Sequence, residues 1–287
     1  MKSTEILIPN YNGREALECC IESIRANTRS EDGPYEIIVY NDGVSDLDYL
    51  SRCADRGWIT LIEEKDPPES HGGKLNRLLH AYCRADYAVL MDNDIWIKAS
   101  GWLRGLIRAV EAAPDILGVC NLKPKGYFEE GYRPPQYFAH FMILKMAAYN
   151  DGMRVDWGLH HASRLDEPYL SLFADLYPPA TNPLFLSMTR ALAKDGWSLE
   201  RFNTIPDQVL FDPGSHLAVK VKCENPKGYR VVDWPPDVVD RFYHWTRASA
   251  WLDPENAKPT QSQFVQDQHR QYKAEIVDVL NRLRGQT

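Results

Sequence analysis

Net positive charge is what this chain most plainly lacks. Its 33 Lys and Arg residues are outnumbered by 40 Asp and Glu, giving a formal charge of −7 over 287 residues. That excludes the general basic field that grips a nucleic-acid backbone. An acidic ligand must instead be held locally, by a metal or by a few Lys and Arg side chains. Long apolar runs are missing as well. None approaches the roughly 20 residues that cross a bilayer, so no transmembrane segment is expected. Met1 to Glu5 lead directly into a strand-like segment, without the apolar stretch and small-residue cleavage site of a signal peptide. The six cysteines (Cys19, Cys20, Cys53, Cys83, Cys120 and Cys223) include no C-x-x-C pair and mostly fall in apolar patterns. They read as reduced core thiols, and hence as a cytoplasmic protein. Internal repeats, low-complexity tracts and the Gly-x-x-x-x-Gly-Lys phosphate loop are all absent.

What is present begins with enough apolar residues, 44% of the chain, to bury one large α/β domain or two closely packed lobes. Strand and helix patterns alternate through the first third. Glu5 to Ile8 reads as a central strand ending at Pro9. Asn12, with Glu15 three residues on, is expected to cap a helix whose buried face is Ala16, Leu17, Cys20, Ile21 and Ile24. Glu36 to Tyr40 reads as a second strand and Ile59 to Ile62 as a third. His71-Gly72-Gly73-Lys74 is expected as a turn before a helix carrying Leu75, Leu78, Leu79, Tyr82 and Cys83. Short connections of this kind argue for a mostly parallel sheet covered on both faces.

The run Tyr87-Ala88-Val89-Leu90-Met91 then ends in Asp92-Asn93-Asp94. A buried strand closing on two acids one residue apart delivers two carboxylates to the mouth of a sheet. Hard cations such as Mg²⁺ are held by such oxygens, usually together with substrate phosphates. In open α/β sheets ligands bind outside the carboxyl ends of the strands. The polar ends at Pro9 to Asn12, Asn41 to Asp42 and Asp92 to Asp94 are therefore expected to converge on one crevice.

Farther along, Ser100 is expected to cap a helix with Trp102, Leu103, Leu106, Ile107 and Val110 inside, and Ile116 to Leu122 reads as a strand. Residues 123 to 183 show no steady period and are expected to form an irregular lobe with long loops. Leu184 to Lys194 reads as a strand running into a short helix. An amphipathic helix is expected over Gln263 to Arg284, with Ile276, Val279, Leu280 and Leu283 on one face. The expected division is 1–98, 99–235 and a C-terminal segment at 236–287. His160-His161 reads as structural, because neighbours on a strand point to opposite faces. Trp157, Trp234 and Trp251 could stack on sugar rings, with packing as the default for each.

Four of these elements, in order, resemble the family 2 glycosyltransferases of the GT-A fold. They are Ile8-Pro9-Asn10-Tyr11-Asn12, Tyr40-Asn41-Asp42-Gly43-Val44-Ser45, Gly72-Gly73-Lys74-Leu75-Asn76 and Asp92-Asn93-Asp94. The segment from Met188-Thr189-Arg190 to Gly196-Trp197-Ser198-Leu199-Glu200-Arg201-Phe202 is similar to the family's second lobe. The resemblance implies residues 1–98 as a nucleotide-sugar-binding half and 99–235 as an acceptor-side half. It implies transfer of a sugar, with inversion, from a nucleotide-sugar (a UDP-sugar above all) to the hydroxyl of a glycan, lipid-linked or other acceptor. Asp94 and Asp92 would hold Mn²⁺ or Mg²⁺, with His244 as a third ligand. Pro9, Tyr11, Asp42, Lys74, Asn76, Asp92 and Asn93 would contact the donor. Asp207 matches the catalytic base, although Pro206 stands where the family carries Glu; Asp212 is the next candidate. Two other readings remain open from the residues alone: a sugar-phosphate nucleotidyltransferase, and a relative that binds nucleotide-sugar or glycan without turnover.

Overall fold

The computed structural model describes residues 2–10, 13–43, 46–63, 71–122, 137, 140–155, 157, 217, 220–221, 224–245 and 263–285, the side chains of 263–269 excepted. Its core is a seven-stranded sheet. The strands are β1 (Thr4–Asn10), β2 (Tyr35–Asn41), β3 (Thr60–Glu63), β4 (Tyr87–Met91), β6 (Ile116–Cys120), β7 (Phe141–Lys145) and β8 (Arg230–Asp233). Their order across the sheet is β3-β2-β1-β4-β7-β6-β8. Only β7 runs against the rest: it pairs antiparallel with both β4 and β6, while every other pairing in the sheet is parallel. A mixed α/β fold with a mostly parallel sheet is thus observed, as the alternation of patterns predicts.

Burial on both faces explains why the strand sequences are continuous apolar runs. Ile6 and Ile8 of β1 join one core with Leu17, Cys20, Ile21 and Ile24 of α1 (Arg14–Asn27), Tyr49, Leu50 and Cys53 of α2 (Leu47–Asp55), and Trp102, Leu103, Leu106 and Val110 of α4 (Trp102–Val110). Leu7, between them, points to the opposite core, with Leu75 of α3 (His71–Asn76), Leu78 and Leu79 of its π-helical continuation (Arg77–Tyr82), and Tyr149 and Trp157. Trp157 is fully buried there, and Trp234 packs against the first core. All five described cysteines are free and buried. Burial pushes the Cys19 and Cys83 thiols up to about 12, which leaves them as packing groups rather than nucleophiles.

Several boundaries differ from the sequence reading. β1 does not stop at Pro9 but continues to Asn10, in register with β2 through Asn10↔Asn41. Its pairing with β4 has already ended at Leu7↔Leu90, so proline falls where one ladder is gone. Helix α1 is capped by Gly13 at φ 97°, with no side-chain cap hydrogen bond; the expected Asn12–Glu15 cap gives way to a left-handed glycine. Gly101, at φ 81°, replaces Ser100 in the same way ahead of α4. The segment His71-Gly72-Gly73-Lys74 is already helical. Helix α2 was not foreseen. Nor was β7, which lies inside the stretch read as irregular lobe and is a central strand of the sheet.

Glycine 118 shows how tightly β6 and β7 meet. A Cβ built there would lie 2.7 Å from the Ile143 carbonyl oxygen and 3.1 Å from Leu144 Cδ2. Backbone cannot yield to such a contact as a flexible side chain would. Gly118→Ala should therefore lose about 1–3 kcal/mol of stability, read from the urea midpoint; an unchanged midpoint would show that the two strands can separate freely.

Two further strands form a small sheet. In it β5 (Ile95–Ile97) pairs antiparallel with β9 (Phe242–His244), in the register Ile95↔His244, Trp96↔Tyr243 and Ile97↔Phe242. The short helices α5 (Met146–Ala148) and α6 (Pro236–Val239) precede the terminal helix α7 (Gln263–Arg284). Helix α7 lays Ile276, Val279 and Leu280 against Ala16 and Cys19 of α1 and against Trp245. No helix among the described residues is long and apolar enough to cross a membrane.

Candidate active site

The polar ends of β1, β2 and β4 do meet, through buried amides. Asn10 donates from Nδ2 to Asn41 Oδ1 at 2.8 Å and to Asp46 Oδ2 at 3.0 Å. Asn93 in turn donates from Nδ2 to Asn10 Oδ1 at 2.5 Å. Buried polar side chains are tolerable only when paired in this way. Asn10 thus links the middle residue of the acid turn to the end of β2. The sequence reading quoted Asn10 within the Pro9–Asn12 strand end but gave neither it nor Asp46 a role, since their partners lie 31 to 83 residues away.

Beside this network lies a buried ion pair. Lys74 Nζ sits 2.6 Å from Asp42 Oδ1, with only 6% and 4% of the two side chains exposed. The same ammonium donates to the Asn10 carbonyl at 3.3 Å. Asn76, two residues on, uses its Oδ1 to accept the Trp157 backbone N–H at 2.7 Å. Lys74 and Asn76, both expected to contact the donor where the glycine turn meets the helix, therefore have different tasks: one reaches the strand ends, and the other fixes the chain at Trp157.

The acid turn is held by its backbone from both sides. Asp92 N–H donates to the His140 carbonyl at 2.8 Å, and the Asp94 carbonyl accepts from Trp245 N–H at 3.1 Å. The β5–β9 register then sets His244 opposite Ile95, one residue past Asp94. The result is a compact cluster. His244 Nε2 lies 3.1 Å from Asp94 Oδ1. His71 Nε2 lies 3.4 Å from Asp92 Oδ1, and His140 Nδ1 lies 2.5 Å from Asp92 Oδ2. Burial alone would raise the Asp92 carboxyl. The facing His140, His71 and His244 outweigh it, and the His140 hydrogen bond adds to them, so the group stays well below the usual carboxylate range. Helix α7 and β5 support this corner from behind: Trp245 stacks on Trp96 with centroids 5.8 Å apart and donates from Nε1 to Glu275 Oε2 at 3.4 Å.

Asp92, Asp94 and His244 each offer one ligand atom, and these atoms lie within 4.8 Å of one another. Two carboxylate oxygens and an imidazole nitrogen form a donor set that suits Mn²⁺, and Mg²⁺ through the oxygens. Asp94 is almost wholly buried, and a cation bound here would compensate for the hydration that burial takes from its carboxylate. The residues fit the ion.

Of the residues singled out in the sequence, the structure therefore brings Asp42, Lys74, Asp92, Asn93, Asp94 and His244 to one end of the sheet, with Pro9 on the strand beside them. Tyr11, Asp207, Asp212, Trp251 and the His160-His161 pair lie outside the described residues, as does the strand-to-helix reading of 184–194. His71 and His140 were not foreseen as site residues. A polar residue abutting the apolar run Phe141 to Leu144 was the available signal for His140.

The family model described as Glycosyl transferase family 2 matches residues 5–163, more than half of the chain. No curated protein matches the chain. Among solved structures, the mannosyltransferase PcManGT from Pyrobaculum calidifontis, in complex with GDP-Man and Mn²⁺, is 15% identical. The match covers 98% of this chain and 73% of that one, with a TM-score of 0.48. TarS 1-349 of S. aureus, in complex with UDP-GlcNAc, is 17% identical over 53% of this chain and 47% of its own, with a TM-score of 0.40. GalNAc-T7 with UDP, GalNAc and Mn²⁺ is 10% identical over 54% and 37%, at a TM-score of 0.42.

Proposed function

The chain belongs to glycosyl transferase family 2, and from that premise we propose a metal-dependent transferase that moves a sugar from a nucleotide-sugar to an acceptor hydroxyl with inversion. The observation that carries the metal dependence is the convergence of Asp92, Asp94 and His244 at the carboxyl end of β4. Of the two ions expected, Mn²⁺ accepts an imidazole ligand more readily than Mg²⁺, which keeps to oxygen. When bound, the ion neutralises charge gathering on the departing diphosphate.

The chain's own residues divide the remaining work. Asp42, at the end of β2, and Tyr11 are assigned to the nucleotide base, with Pro9 and Asn93 shaping the strand ends around it. Lys74 provides the one cationic side chain buried among the described strand ends, close enough to Asp42 to serve base and phosphate together. Asp207 is assigned as the general base that takes the acceptor proton as the hydroxyl attacks the anomeric carbon. A UDP-sugar donor and a cytoplasmic setting complete the reading, the latter supported by five buried free thiols.

A screen of UDP- and GDP-sugars with Mn²⁺ should reveal donor hydrolysis or transfer to supplied acceptors, detected as released nucleoside diphosphate. In the same assay Asp207→Asn should keep donor-induced thermal stabilisation while release falls on the order of 10²–10⁴-fold. Full release by this variant would move the base to Asp212 or elsewhere. Release of pyrophosphate from a nucleoside triphosphate would instead overturn the reaction class.

A further inference from the structure

His140 enters the acid turn from β7, the one reversed strand of the sheet, and it binds Asp92 twice. Its carbonyl receives the Asp92 N–H at 2.8 Å, and its ring Nδ1 lies 2.5 Å from Asp92 Oδ2. The ring is half-buried and flanked by two others, 6.4 Å from His71 and 5.4 Å from His244 between centroids. The two atoms are within hydrogen-bond distance, and in the tautomer with its hydrogen on Nδ1 the ring is the donor to the carboxylate.

We propose that His140 is a positioning residue for the metal, fixing the plane of the Asp92 carboxylate through its Nδ1–H so that Asp92 meets the ion in one orientation. This rests on the metal reading of Asp92, Asp94 and His244. The physical basis is preorganisation. A carboxylate free to rotate must be frozen when the ion arrives, and that loss reduces affinity. A hydrogen bond from a neighbouring ring, whose backbone is already tied to Asp92 and which His71 and His244 flank, reduces the loss in advance; removing partners of this kind typically costs metal affinity a factor of 10–100. Antiparallel β7 is what makes this possible, because its register places Phe141 opposite Met91 and so delivers residue 140 beside residue 92. Any parallel neighbour would have carried its own carboxyl-end loop there instead.

The test uses Mn²⁺ alone, titrated into the full chain and followed by the electron paramagnetic resonance signal of free ion. His140→Ala should weaken Mn²⁺ binding about 10–100-fold. His140→Asn places an amide N–H near the position of Nδ1 and should restore affinity to within about threefold of wild type, a range that ordinary hydrogen-bond geometry allows. Thermal midpoints in EDTA establish that both variants fold. Wild-type affinity in His140→Ala would overturn the proposal. So would an asparagine variant as weak as alanine, since the ring would then act as ligand or filler rather than as donor. If the wild type itself ignores Mn²⁺, the metal reading fails first and takes this one with it. A binding wild type with an indifferent His140→Ala sinks only the positioning role.

Discussion

Asp94→Ala should abolish Mn²⁺-dependent donor binding and lower sugar transfer on the order of 10²–10⁴-fold, equivalent to about 3–5 kcal/mol of transition-state stabilisation. The size follows from where Asp94 sits. It is nearly inaccessible to water, its carboxylate faces His244 Nε2 at 3.1 Å, and its backbone carbonyl is already committed to Trp245. The turn therefore has no slack with which a neighbouring oxygen could replace the lost one. Calorimetric titration of UDP with and without Mn²⁺ separates the two contributions. The variant should bind UDP equally in either condition, at the wild type's metal-free affinity. Metal-enhanced binding retained in Asp94→Ala would remove Asp94 from the ligand set, and the cluster would then be a hydrogen-bonded corner of the fold.

How much of this corner could be read beforehand depends on the distance over which each feature is encoded. The acid turn is local: five apolar residues followed at once by Asp92-Asn93-Asp94 announce both the strand and its end. Helix α7 is local too, since Ile276, Val279 and Leu280 recur at helical spacing along a chain without breakers. His244 was a candidate only by resemblance. What seats it is the pairing of two three-residue strands nearly 150 positions apart, and runs that short carry no periodic signal. Strand β7 was lost for a different reason. Its apolar run, Phe141 to Leu144, lies within a stretch rich in aromatics, prolines and single charges, so the surroundings argued for loop. With β7 went His140, and with His140 the explanation for how Asp92 is held. Asn10 was hidden inside a motif, as the residue between a recognised proline and a recognised tyrosine. Its importance comes from the amides of Asn41 and Asn93, which only the sheet order brings to it.

Breaking the Lys74–Asp42 pair should be the most costly single change to the fold near the site. Both side chains are almost completely buried and their charged atoms are 2.6 Å apart. Taking two ions out of water costs several kcal/mol each, and their attraction offsets this only while both are present. Asp42→Leu removes the carboxylate that faces the buried ammonium at 2.6 Å, so a loss of about 3–5 kcal/mol in unfolding free energy is expected. Lys74→Met should fall in the same range from the other side. Joining Asp42→Leu to Lys74→Met should recover much of the loss, because apolar groups of similar volume often replace a buried pair at little net cost. Urea unfolding of the three variants without nucleotide measures this directly, and additive losses in the double variant would show that the two charges do not depend on each other. The functional consequence separates from the structural one in the double variant. A chain that regains its stability yet fails to bind UDP would show that the pair is kept for the nucleotide, with Lys74 holding Asp42 oriented at the end of β2. A restored chain that binds UDP normally would make the pair an architectural element, and base recognition would then rest with other residues at the strand ends.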